Sequence, residues 1–219
     1  MNSNKPFNIK PLWLKALRLA VHRAMLSFAL FSAAFATCKP IVVGQTFMAG
    51  SDDPTDGSTS WSLTSHGISE KLFTVDRDGD IVPQVAKEVN KVSEDPDVWE
   101  VTLKSGYKFS DGTAVDAEHV AKCLTELNTV NDAAKSTLGA MTVTAEGGKV
   151  RIESERSTHV MDAVLAEWVF AIYYKNSDGD YVFTGPYAVE NWVDGDHIDL
   201  VPNKHYPRAN ERPRVTVCP

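Results

Sequence analysis

A mixed α/β (α+β) domain is the fold class that three observations predict. Short segments alternate apolar and polar residues with period 2, as Trp99, Val101 and Leu103 do against Val98, Glu100 and Thr102, which puts one set on each face of a strand. Tight-turn sequences separate such segments: DRDGD at 76–80, EGG at 146–148 and DGD at 194–196. Between them lies residues 116–127, whose apolar side chains fall at 117, 120, 121, 124 and 127, the spacing of a single helix face.

In chain order, residues 1–36 come first. They carry five basic residues (Lys5, Lys10, Lys15, Arg18, Arg23) and no acid, and end in the uncharged run AMLSFALFSAAFA. That run is 13 residues long, whereas a membrane-spanning helix needs roughly 20. Ala34-Phe35-Ala36 offers small residues where a signal peptidase reads. A signal peptide over 1–36, cleaved before Thr37, is expected, and with it an exported product, periplasmic or extracellular, that does not span the membrane. An uncleaved anchor or buried helix and acylation of Cys38 are the alternatives, and Thr37 and Phe35 are poor neighbours for the acylation.

Residues 41–49 (IVVGQTFMA) read as a strand and 50–60 as a polar loop. Residues 61–72, apolar at 61, 63, 68 and 72, read as a short helix with an incomplete buried face. Strands at 73–75 and 81–82 flank the first turn, and 98–103 is a further strand. Asp111-Gly112-Thr113 breaks the chain, with a glycine where φ is free to be positive. Asp116 then stands where a helix cap belongs, and Glu118 adds an acid to the first turn. Residues 141–145 and 149–154 form a hairpin, 161–169 a helix, and 181–183, 187–192 and 197–201 strands. A last strand occupies 214–218 (RVTVC).

Composition removes several function classes. The chain has 22 Lys+Arg against 29 Asp+Glu, and with five of the basic residues in the first 36, the remainder holds 17 against 29, a net −12. A surface that acidic repels phosphate backbones and anionic membranes, so no nucleic-acid partner is expected. With 43% hydrophobic and 23% charged residues, wholesale disorder is excluded. The 183 residues from 37 to 219 are one domain's worth. Cys38, Cys123 and Cys218 include no C-x-x-C pair, so metal and redox motifs lack their spacing. An exported chain meets oxidising conditions, and whether Cys38 and Cys218 bridge stays open. Asp76, Asp78 and Asp80 open like a calcium loop, but Ile81 stands where glycine is needed and Lys87 where a bidentate acid is needed. There is no G-x-S-x-G and no H-E-x-x-H, and the six His are scattered. A non-enzymatic protein, with no catalytic residue, metal site or cofactor, is the expectation.

The segment 56–67 (DGSTSWSLTSHG) differs in kind. Short hydroxyl side chains surround one large flat ring, which is how a protein lines a polar small-molecule pocket: the ring supplies area and the hydroxyls fix orientation. A solvated loop with Trp61 plugging the core explains the same residues nearly as well.

Three ordered motifs carry a family resemblance. The first is 64–76 (TSHGISEKLFTVD) with 78–86 (DGDIVPQVA); the second is 99–120 (WEVTLKSGYKFSDGTAVDAEHV); the third is 183–192 (FTGPYAVENW) with 198–206 (IDLVPNKHY). In this order they resemble the family 5 extracellular solute-binding proteins, the dipeptide/oligopeptide/nickel-type binding components of ABC importers. The resemblance implies a periplasmic-binding-protein-like class II fold. It further implies that residues 37–219 are most of a first lobe, truncated, with the second lobe and its ligand-holding acid absent. It implies non-enzymatic recognition of a peptide, opine or chelated-metal ligand, with an ABC permease as partner. The contacts are expected from Ser60, Trp61, Thr64, Ser65 and His66. His66 is placed to touch a metal chelate, although one His does not make a metal site. The alternative is a truncated, non-transporting secreted domain that acts as an interaction module through an edge strand near Val215–Val217.

Overall fold

The computed structural model describes residues 40–219, so the expected leader, its cleavage point and the state of Cys38 lie outside the described residues. Their strands form two four-stranded sheets, ordered β1-β12-β11-β10 and β4-β5-β7-β6, and two ribbons, β2-β3 and β8-β9. The strands are β1 (Ile41–Gly44), β2 (Phe73–Val75), β3 (Ile81–Pro83), β4 (Ala86–Glu94), β5 (Asp97–Leu103), β6 (Met141–Glu146), β7 (Lys149–Ser154), β8 (Tyr173–Lys175), β9 (Tyr181–Phe183), β10 (Tyr187–Val193), β11 (His197–Pro202) and β12 (Val215–Cys218). Four α-helices intervene: α1 (Thr59–Ser65), α2 (Ala117–Val130), α3 (Asp132–Leu138) and α4 (Met161–Val164). Mixed α/β is the observed class.

The core forms where α2 lies on the β4-β5-β7-β6 sheet. Val120, Leu124 and Leu127 from the helix are buried against one cluster with Trp99, Val101, Val150 and Ile152. The helix begins as its sequence requires: the Asp116 side chain accepts from His119 N at 2.9 Å, satisfying a first-turn donor that has no partner within the helix. Cys123, on the buried face, donates its thiol to the Ala171 carbonyl, and burial pushes its pKa up to about 12. That thiol is inert as a nucleophile.

Several elements depart from the sequence expectation, each for a physical reason. The first strand ends at Gly44 rather than residue 49, because its parallel partner β12 runs out opposite it at Cys218. The helix expected over 61–72 stops at Ser65. Gly67 adopts φ +72°, and the amides of Ile68 and Ser69 both turn back to the Leu63 carbonyl, closing the helix end. The helix expected over 161–169 is one turn (α4) followed by a 3₁₀ turn at Trp168–Phe170. Between them the Leu165 and Ala166 carbonyls accept from Phe73 N and Lys71 Nζ, so tertiary bonds replace the helical ladder. Strands β4 and β8 and helix α3 were not anticipated.

The expected edge strand at 214–218 is corrected. β12 pairs on both sides, parallel with β1 and antiparallel with β11, so it lies inside its sheet. The edges are β1 and β10. Among the described residues Cys123 and Cys218 are both free thiols.

Candidate functional site

An open cleft of about 500 Å³ lies along α1, the chain that leaves it, and the α4–3₁₀ segment. Its size falls within the range of small-molecule sites. Trp61, Thr64 and Ser65 line it from α1, Ser69, Glu70 and Lys71 from the chain that leaves α1, and Glu167 with Trp168 complete the lining. Trp61 is 45% exposed and leans on Phe47, ring centroids 5.1 Å apart. A large ring held in solvent by a second ring is not core packing; it is contact area left available.

The local fold explains this presentation. In α1 the Ser60 hydroxyl donates to the Pro54 carbonyl at 2.7 Å, tying the helix to the preceding loop, and Leu63 is buried in the core cluster. The opposite helix face, which bears Trp61, Thr64 and Ser65, is thereby turned outward. Thr64 and Ser65 donate their hydroxyls to the Ser60 and Trp61 carbonyls within α1, leaving oxygen lone pairs available as acceptors. Beyond Gly67 the chain leaves the helix and is pinned. Ser69 Oγ donates to the Ile172 carbonyl, Ile172 N to the Glu70 carbonyl, and Glu70 N to Thr184 Oγ1.

Of the five residues expected from sequence, the structure brings Trp61, Thr64 and Ser65 together on the cleft wall. Ser60 lies beneath them, fully buried with its hydroxyl engaged. His66 is buried as well, off the cleft wall, and among the described residues neither ring nitrogen has a hydrogen-bond partner. Burial moves its pKa below the ordinary histidine value, which favours the neutral ring.

Glu70, Lys71 and Glu167, and a second tryptophan, Trp168, were not anticipated. Glu70 is almost wholly buried and receives three donors, the hydroxyls of Tyr107 and Tyr206 and the Gln84 amide. Burial pushes its pKa up to about 7, although Tyr206, Gln84, Lys104 and Arg212 all pull it down. Lys71 reaches across to the Ala166 carbonyl at 2.6 Å, and burial lowers its pKa while Glu167 partly offsets that. The signal for these residues was hidden by reading 61–72 as one helix, which sends Glu70 and Lys71 to a different face. Trp168 was likewise assigned to a helix interior.

The cleft therefore offers two indole rings, hydroxyl oxygens, one ammonium at Lys71 and two carboxyl groups, Glu167 and the already hydrogen-bonded Glu70. Both signs of charge beside flat apolar rings suit a small zwitterionic or chelated polar molecule.

The sequence pattern of the bacterial extracellular solute-binding proteins, family 5 Middle, matches residues 80–217. The chain belongs to this family. The nickel-binding protein NikA of Staphylococcus aureus (strain NCTC 8325 / PS 47) is 27% identical over 144 residues, which are 64% of this chain and 29% of the relative. The glutathione-binding protein GsiB of Salmonella paratyphi A (strain ATCC 9150 / SARB42) is 29% identical over 201 residues, 86% of this chain and 38% of the relative. The chain thus spans less than two fifths of these curated relatives. Among solved structures, NikA from Staphylococcus aureus in complex with Ni(L-His)2 superposes with a TM-score of 0.72 at 24% identity, covering 83% of this chain and 39% of that one. The murein tripeptide-binding protein MppA of Escherichia coli superposes at 0.67 and 20% identity, covering 84% and 42%. At these identities the superpositions establish the fold of this family 5 chain.

Proposed function

We propose that this family 5 chain recognises a small polar solute for an ABC importer, releases it chemically unchanged, and acts outside the cytoplasm with a permease as its partner. The ligand class is a peptide, an opine or a metal chelate of amino-acid character. The observation that carries the reading is the Trp61–Trp168 cleft, where Lys71 and Glu167 supply both charges that a zwitterion needs. The names of the relatives agree with it, since those proteins bind nickel or glutathione.

Titration calorimetry of the purified chain against Ni(II)–histidine, glutathione, di- and tripeptides and an opine tests this. Saturable heat with one of them, together with mass-spectrometric recovery of that ligand intact, is the expected result. Absence of heat with all of them, or recovery of a modified ligand, overturns it. Pairing through the exposed β1 edge, where Ile41 and Val42 are 50% and 66% exposed, is the second reading. Concentration-dependent dimerisation without ligand binding would favour it.

A further inference from the structure

A second groove of about 500 Å³ shares no lining residue with the Trp61–Trp168 cleft. It lies between the loop at 50–52, strand β9 and the β10–β11 hairpin. Tyr181, Phe183, Tyr187 and Trp192 give it four aromatic side chains, and Asp52 and Asp194 give it two carboxylates; among the described residues no Lys, Arg or His lines it. Both acids are exposed, and among the described residues neither is engaged by a basic side chain.

The walls are held firmly. Gly185 N donates to the Ile68 carbonyl and Tyr187 N to the Gly67 carbonyl, at 2.9 and 3.0 Å, which fixes the start of the hairpin against the neighbouring chain. The Tyr181 hydroxyl donates to Asp53 Oδ1 at 2.8 Å, fixing that ring beside the acidic loop. Tyr181 already receives a cation from within the protein: Lys175 Nζ sits 4.7 Å from its ring centroid, with Glu126 at 3.0 Å from the same ammonium.

Aromatic quadrupoles and uncompensated carboxylates attract the same ligand chemistry, a cation with an apolar stem. An anion would meet two acids in a domain of net charge −12. A neutral apolar ligand would desolvate two carboxylates with nothing in return. We propose that this groove is a second binding site, taking a small organic cation in which an alkyl chain ends in an ammonium or guanidinium group. The rings cover the stem and Asp52 and Asp194 hold the charged head. Contacts at a half-open site are individually weak, so affinity on the order of 1 mM is expected.

Calorimetry or NMR titration of the full chain with agmatine and 1,5-diaminopentane is the test, with 1-pentanol as the neutral control. Both cations are expected to bind saturably and the alcohol not to. D52N/D194N is expected to weaken binding about tenfold, as is W192L, because each removes one half of the site. The double variant D76N/D78N, at an acidic turn elsewhere, separates a site from general acidity and is expected to leave binding unchanged. The proposal falls if the cations bind no better than the alcohol, if D52N/D194N binds them like the parent, or if D76N/D78N weakens binding equally. Asp52, Asp78 and Asp194 are exposed; Asp76 is half-buried and its Oδ1 accepts from Asp78 N and Asp80 N, a role the Asn amide oxygen keeps, so the substitutions test charge with little demand on folding.

Discussion

The Tyr206 hydroxyl donates to Glu70 Oε1 across 136 residues of sequence, joining the chain after β11 to the wall of the Trp61–Trp168 cleft. Arg212 stacks its guanidinium 4.8 Å from the Tyr206 ring centroid, so a cation backs the same pair. With Tyr107 donating to the Glu70 side chain as well, all three motifs that carry the family resemblance meet at one buried carboxylate. Glu70 also lines a neighbouring cleft with Lys104, Tyr107 and His205, so its side chain is part of the partition between two clefts.

The first prediction is a stability that falls as pH rises. Burial moves Glu70 from an ordinary 4.5 up to about 7. Between those values the folded protein binds a proton that the unfolded chain has released, so this contribution is complete below 4.5 and is lost as pH rises through 7. The full effect is on the order of 3 kcal/mol. His66 acts in the opposite sense: its lowered pKa makes the folded state more stable as pH rises toward 6.5. Thermal unfolding of the parent and E70Q at pH 5, 6, 7 and 8 separates them. The parent's stability relative to E70Q is expected to decline from pH 5 to 8, and parallel curves would refute the assignment.

A second prediction concerns Gly185 in the Thr-Gly-Pro-Tyr turn. A Cβ there would lie 2.3 Å from the Gly67 carbonyl oxygen and 2.4 Å from that of Ile68. Both are backbone atoms in a pinned segment, so the clash is not relieved by a rotamer change. Gly185→Ala is expected to destabilise by about 3 kcal/mol, near the upper end for single substitutions. Urea unfolding measures it; a midpoint within error of the parent would show that the two segments can part freely.

The third prediction isolates a helix cap. Asp116 accepts from both His119 N and His119 Nδ1, at 2.9 and 2.8 Å. Asp116→Ala is expected to cost about 1 kcal/mol, and Asp116→Asn much less, because the amide oxygen still caps. Equal losses in the two variants would mean that charge, rather than the cap, supplies the stability.

How much of this was legible follows from what each element depends on. α2 was readable because its apolar spacing and its capping residue agree, and hairpin β6–β7 because alternation and turn coincide. β4 was not. Its sequence, AKEVNKVSE, is charged and lacks a period-2 apolar face, since as an edge strand it needs little more than its backbone to pair with β5. Its charges also protect that edge. Glu70 and Lys71 were hidden because the Gly67 turn, a single residue at positive φ, converts a helical period into a non-helical wall. Trp61 was legible as a pocket residue from its hydroxyl-rich neighbours, whereas Trp168 reaches the same cleft only through a carbonyl-capped break that no local pattern announces.

The last prediction uses two neighbours on α1 that the fold treats oppositely. Trp61 is 45% exposed, while Leu63, two residues on, is fully buried in the core cluster. Leu63→Ala removes packed methyl groups and is expected to destabilise by about 3 kcal/mol. Trp61→Ala removes a ring whose surface is largely open, so stability is expected to change by less than about 1 kcal/mol. If the cleft binds the solute, that same ring supplies contact area at low entropy cost, and its loss is expected to weaken ligand binding about tenfold or more. Unfolding curves and calorimetric titration on the two variants therefore diverge in opposite directions. A Trp61→Ala chain that unfolds early, or that keeps the parent's affinity, would place the indole in the core's service and move the solute elsewhere.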